Sequence, residues 1–216
     1  MDTDVMEIAS LMLRHPDDDL LAARDEIARA ASTLAPGAGR DLIAAAAARW
    51  AARPADALRE EYVSTFDLSR RTSLDLTYFT YGDRRQRGIA LLGIRRRFEA
   101  GGFEPDGTEL PDYLPMALEF AASGHPDGAQ MLMDHRPVIE LLRLALAEAD
   151  SPFADVVGAV TACLPELSDE EDVLVRTLAR EGPPVEAVGL EPFAPPDVMP
   201  PPMRATCARE SNGAVR

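Results

Sequence analysis

Apolar residues recur every three to four positions along most of this chain, in segments broken by proline and glycine. That period belongs to an amphipathic α-helix, whereas a half-buried strand alternates at every second residue. Val5, Ile8, Leu11 and Met12 predict a helix over 3–14, ending near His15-Pro16. An acidic turn, Asp17 to Asp19, opens a second segment in which Leu20, Ile27 and Leu34 stand seven apart. After a "PGAG" break, the alanine-rich "RDLIAAAAARWAAR" predicts a strong helix that stops before Pro54. Further helices are expected over 55–66, 84–100, 112–123, 127–149, 153–163 and 169–181. Short connections between amphipathic helices imply an all-α fold, a compact antiparallel bundle in one domain over 1–181. From Gly182 onward the composition changes. The stretch 182–216 holds 8 of the 18 prolines and no helical period, and is expected to be a flexible tail.

Charge narrows the function. The net charge is −15, and all 22 basic residues are arginine. So acidic a chain is a poor nucleic-acid binder, because phosphate neutralisation supplies most of that affinity. It suits a basic partner. No run is apolar for long enough to span a bilayer, and the opening "MDTDVMEIAS" lacks the basic start of a secretory signal, so the expected location is the cytoplasm. Cys163 and Cys207 stand far apart, and His15, His125 and His135 are isolated, so no metal-ligand spacing exists and no cofactor is expected. A phosphate-cradling glycine motif and a nucleophile elbow are both missing.

Two stretches stand out. The first, "YVSTFDLSRRTSLDLTYFTYGDRRQRG", carries Ser69-Arg70-Arg71, the beginning of a twin-arginine export signal in appearance only. Asp75 and Asp83 lie just beyond the arginine pair, where an export signal needs an uninterrupted apolar run. Residues 60–100 carry eight arginines against six acids. An internal ion-pair network is the reading, with Asp67, Asp75 and Asp83 available to Arg70, Arg71, Arg84 and Arg87, fixing geometry more than adding stability. The second stretch is "ELPDYLP", residues 109–115. Asp112 reads as a helix N-cap with spare acceptor capacity, because Pro115 has no N–H to offer it. Glu119, seven residues on, falls on the same helix face. The pair would sit at a groove rim, ready for an arginine-bearing peptide. Glu109 and Asp112 lack any accompanying nucleophile, metal set or cofactor motif, so the chain is not read as an enzyme.

Together the two stretches resemble the nitrate reductase assembly chaperones of the NarJ type, within the wider helical family of redox-enzyme maturation chaperones that includes the TorD and DmsD types. The resemblance is specific over roughly 60–121 and rests on Tyr62, Phe66, Asp67, Arg71, Leu74, Leu76, Gly82, Asp83, Arg87 and Gly88, then on Glu109, Pro111 and Asp112. Tyr113 stands where the wider family often has histidine, which removes a titratable group. The resemblance implies a chaperone that binds the N-terminal segment of the apo catalytic (alpha) subunit of nitrate reductase. It would hold that subunit until the molybdenum cofactor is inserted, with cofactor-delivery proteins as further candidate partners. The expected peptide site has apolar walls from Tyr62, Phe66, Leu76, Tyr78 and Tyr113, with Pro111 beside them. Asp112 and Glu119 would hold basic residues, and Gly82 and Gly88 would allow close backbone approach. The alternative is a helical ligand- or DNA-binding regulator, for which 84–97 would be the basic recognition helix.

Overall fold

The computed structural model describes residues 1–82, 85–104 and 107–182. Twelve α-helices occur among them: α1 (Thr3–Met12), α2 (Asp18–Ala22), α3 (Arg24–Ser32), α4 (Ala38–Ala51), α5 (Ala55–Tyr62), α6 (Tyr78–Tyr81), α7 (Arg85–Ala100), α8 (Leu114–Ala122), α9 (Pro126–Asp134), α10 (Arg136–Glu148), α11 (Phe153–Ala162) and α12 (Asp169–Glu181). The stretch 183–216 and the two motif residues Asp83 and Arg84 lie outside the described residues.

Helix α1 runs through the middle. Its Val5, Met6, Ala9 and Met12 are buried, and it packs on α8 and α11 and more lightly on α4 and α3. A buried hydrogen bond from Ser10 Oγ to the Pro115 carbonyl, 2.8 Å, pins α1 to the first turn of α8. Helix α11 lies against α4 so closely that a Cβ on Gly39 would meet the Ala159 carbonyl oxygen at 2.8 Å and Cys163 Sγ at 2.6 Å. Only glycine fits there without displacing a helix. At the far end, α12 starts with a complete capping box, Ser168 with Glu171, and four acidic residues in its first turn, which suit the positive end of the helix dipole.

Three expectations change. The segment over 127–149 is two helices that meet at His135, because Pro137 has no N–H to continue the ladder and instead occupies the first turn of α10. The second segment breaks into α2 and α3 at Ala23. The helix over 55–66 ends at Tyr62 and continues as a π-turn, Val63–Asp67, closed by Leu68 N to the Val63 carbonyl at 3.1 Å. A 3₁₀ turn, Arg70–Thr72, and the short α6 come next, neither of which the apolar period signals.

Candidate functional site

The two motif stretches form one structural unit. Leu76 N donates to the Asp112 carbonyl at 2.9 Å, and Leu114 N donates to the Leu74 carbonyl at 2.8 Å, an isolated antiparallel bridge centred on Asp75 and Tyr113. Beneath it lies a polar node. The fully buried Asp112 carboxylate accepts from the Thr77 amide at 3.0 Å and from the Thr77 hydroxyl. Arg87 Nη2 reaches Asp75 Oδ2 at 2.8 Å and Asp112 Oδ2 at 3.2 Å, while its Nε donates to Thr77 Oγ1 at 3.2 Å. The Arg87 guanidinium also lies over the Tyr78 ring, 5.6 Å from its centroid. Burial and the Asp112 charge raise the Asp75 carboxyl above its ordinary range, against the pull of Arg87. Burial opposes the charge on Arg87, but the two carboxylates outweigh it and its pKa is raised.

This arrangement corrects three expectations. Asp112 is not a helix cap: α8 begins at Leu114, its N-cap is Tyr113, and no side chain caps it. Nor is Asp112 at a rim, since its carboxylate is consumed inside the protein. Its remaining acceptor capacity, left by the missing Pro115 amide, is taken by Thr77 and Arg87. Among the described residues, nothing lies within 4 Å of where a Cβ on Gly88 would stand, so no contact inside the chain requires glycine there. Gly82 has a different use: it ends α6 with φ 57 and ψ −141, a conformation that a Cβ resists.

The aromatic residues split between core and cleft. Leu76 and Tyr78 are buried. Tyr62 and Phe66 are buried too, yet one edge of each lines a cleft of about 390 Å³ with His15, Asp67, Glu109 and Tyr113. Tyr62, Phe66 and Phe153 pack with their rings tilted, at centroid distances of 4.9 and 4.8 Å. The hydroxyls of Tyr62 and Tyr113 lie 3.0 Å apart, each also 3.3 Å from the Leu13 carbonyl. Burial pushes the Tyr113 phenol up to about 12, although its hydrogen bond with Tyr62 works the other way. Tyr113 is also a wall of a second cleft, about 230 Å³, shared with Arg14, Glu109 and the exposed Glu119. Pro111 lines a third, about 520 Å³, again with Glu109. Glu109 is thus common to all three.

The motif arginines have separate fates. Arg87 enters the node, and Arg71 pairs with Glu148 of α10 at 3.0 Å on the surface. Asp67 is exposed, and Arg70 lies in the 3₁₀ turn on the same surface stretch. Sequence reasoning missed Thr77, the hinge of the node, and Arg14 and His15, which face the clefts. Nothing in the spacing of those three signals a role. Among the described residues, no group of three or more His, Cys, Asp or Glu side chains is placed to hold a metal ion, and no helix is long and apolar enough to cross a membrane.

The all-helical domain that carries these two stretches has the fold of a solved redox-enzyme maturation protein. A crystal structure from Archaeoglobus fulgidus, described as a redox enzyme maturation protein, superposes with a TM-score of 0.57 at 22% identity, over 74% of this chain and 92% of that one. The family model for the nitrate reductase delta subunit matches residues 21–158, and the chain belongs to that family. A relative from Bacillus subtilis (strain 168), described as a nitrate reductase molybdenum cofactor assembly chaperone, NarJ, is 38% identical over 119 residues. The chaperone NarJ of Escherichia coli (strain K12) is 34% identical over 102 residues, and the nitrate reductase-like protein NarX of Mycobacterium tuberculosis (strain ATCC 25618 / H37Rv) is 36% identical over 159. Those matches cover 55%, 47% and 72% of this chain, and 65%, 43% and 24% of the respective relatives. The chaperones and the maturation protein carry names of assembly factors, not of catalysts.

Proposed function

We propose that this protein is a nitrate reductase assembly chaperone. It binds the N-terminal segment of the apo catalytic subunit in the cytoplasm and keeps that subunit competent for molybdenum cofactor insertion before membrane assembly. The observation that supports this reading best is the position of Tyr113. It is an amphipathic wall shared by two clefts, with the exposed carboxylates Glu109 and Glu119 beside it and the rigid node below. Aromatic surface next to exposed carboxylates suits a peptide carrying both apolar and basic residues. Glu109 and Glu119 take the role of holding basic client residues, which Asp112 is too buried to perform. The DNA-binding alternative draws no support from α7, three of whose arginines are engaged with carboxylates: Arg87 in the node, Arg95 with Glu99 and Arg97 with Asp134.

The test is co-purification of the tagged protein from a nitrate-respiring host, with bound chains identified by mass spectrometry. The catalytic subunit should be captured before cofactor insertion and released after it. Recovery of none of that subunit overturns the proposal. Glu109→Gln with Glu119→Gln should reduce capture and its sensitivity to salt, because mobile ions screen exposed charge pairs.

A further inference from the structure

Helices α1, α2 and α3 leave a groove of about 750 Å³ between them. Its floor is apolar: Leu11 of α1, Leu20 of α2, Ile27 of α3 and Leu34 just beyond. Leu11, Leu20 and Leu34 remain only half-buried, so the domain does not finish covering them. The lining carries five carboxylates against one guanidinium, with Asp4, Glu7 and Glu26 exposed along the helices that form the walls. An occupant must therefore bring an apolar face together with positive charge.

The walls decide its conformation. They are helices whose backbone groups are already paired, so they offer no edge to which an extended peptide could add as a strand. A helix satisfies its own backbone and needs only side-chain contacts. The walls α1 and α3 have 10 and 9 residues, so each is about 15 Å long, room for about three turns. One end of the groove continues into the site already described: Arg14 lines both this groove and the Tyr113–Glu119 cleft. The groove is lined by residues between Asp4 and Leu34 and the motif stretches begin at Tyr62, so the groove is an observation independent of the motif.

We infer that the α1–α3 groove seats a positively charged amphipathic helix of about three turns, presented by a partner chain, which then passes Arg14 onto the Tyr113 cleft. The identity of the partner as the nitrate reductase client rests on the chaperone reading; the seating of a basic helix does not.

The probe is a fluorescently labelled synthetic peptide of about 14 residues, nearly four helical turns, with leucines on one helical face and arginines on the other. Its control has the same composition scrambled to abolish the apolar face. Binding to the full chain is read by anisotropy. The wild type should bind the amphipathic peptide at least tenfold more tightly than the scrambled one. Ala30→Arg, at an exposed groove position, should weaken the amphipathic peptide at least tenfold with an unchanged circular dichroism spectrum. Glu7→Arg, at the other wall, should do the same and so guard against a local effect at Ala30. Equal binding of the scrambled peptide, or undiminished binding to both variants, overturns the inference. So does a wild type that sediments as a dimer and takes up no peptide, which would assign the groove to a second copy. The two readings fail separately. Peptide binding that obeys the pattern, with no catalytic subunit captured from cells, removes the client and keeps the groove. Captured catalytic subunit with peptide binding indifferent to Ala30→Arg and Glu7→Arg removes the groove and keeps the chaperone.

Discussion

The motif node and the α1–α3 groove are opposites. In the node, polar residues from the two motif stretches are folded inward: Asp112 has no exposed surface and every strong donor around it is engaged. In the groove, ordinary helical residues with no motif leave leucines half-covered beneath exposed carboxylates. A recognisable signature can thus mark what holds a surface in place, while the surface that meets a partner is written in residues that look generic. Breaking a buried pair leaves an uncompensated charge in a low-dielectric site, whereas changing a groove residue leaves nothing unsatisfied.

The contrast can be broken first at its strongest point. Asp112→Ala leaves the Thr77 amide without its acceptor and Arg87 with Asp75 alone, and should cost about 3–5 kcal/mol, read as a fall in the urea midpoint. A midpoint near wild type would show that the node is dispensable. Asp112→Asn keeps an acceptor for the Thr77 amide and should lie between the two.

A second test uses pH. Burial favours protonation of Glu140, but hydrogen bonds from Arg143 and Arg136 outweigh it and hold its carboxyl below the usual range. A depressed folded pKa contributes stability that is present above the unfolded carboxylate value, about 4.3, and is lost as pH falls through the folded value. Asp75 in the node has the opposite sign. Its raised folded pKa contributes stability that is present at low pH and lost as pH rises through that value. Urea midpoints between about pH 6 and pH 3 should therefore fall less steeply in Glu140→Gln than in wild type, and more steeply in Asp75→Asn. Parallel curves for all three proteins would contradict both assignments.

Smaller effects are expected elsewhere. Tyr113→Phe removes one member of the hydroxyl pair while Tyr62 keeps the Leu13 carbonyl, so about 1 kcal/mol should be lost in thermal melting. A loss several times larger would mean that Tyr113 belongs to the node and not to the cleft. Ala30→Arg should change stability by less than about 0.5 kcal/mol, since it is exposed and arginine is a good helix former. A marked destabilisation would show that the groove wall is core and would end the contrast.

Much of the fold is legible in the sequence because helical period is a local property. Val5, Ile8 and Met12 are buried as their spacing predicts, while Leu11 of the same set is only half-buried. The split at His135 is also present in the sequence, in Pro137, but the apolar period runs through it and masks the break. The site is harder to read. The sequence offers Asp75 to Arg87 but sets Asp112 beside Glu119, and spacing does not say which way a carboxylate turns. Thr77 turns it inward by offering an amide and a hydroxyl together. Tyr62 and Phe66 are expected as cleft walls, and both are mainly core with one edge showing. The openness of the α1–α3 groove has no local signal, because whether two amphipathic helices close over their shared face depends on what the rest of the chain packs against them.

The bond between Ser10 and Pro115 spans 105 positions of chain, and it has a consequence for birth and for damage. During synthesis, the inner face of α1 waits for α8, and then for α11, before it is covered. A nascent chain that stalls before Leu114 presents Met6 and Met12 as sticky surface. A nick in the connection before α8 would likewise loosen a helix about 105 positions back along the chain. A helix made before α8 is thus among the last to be secured, so an incomplete copy of this protein is itself a molecule in need of protection.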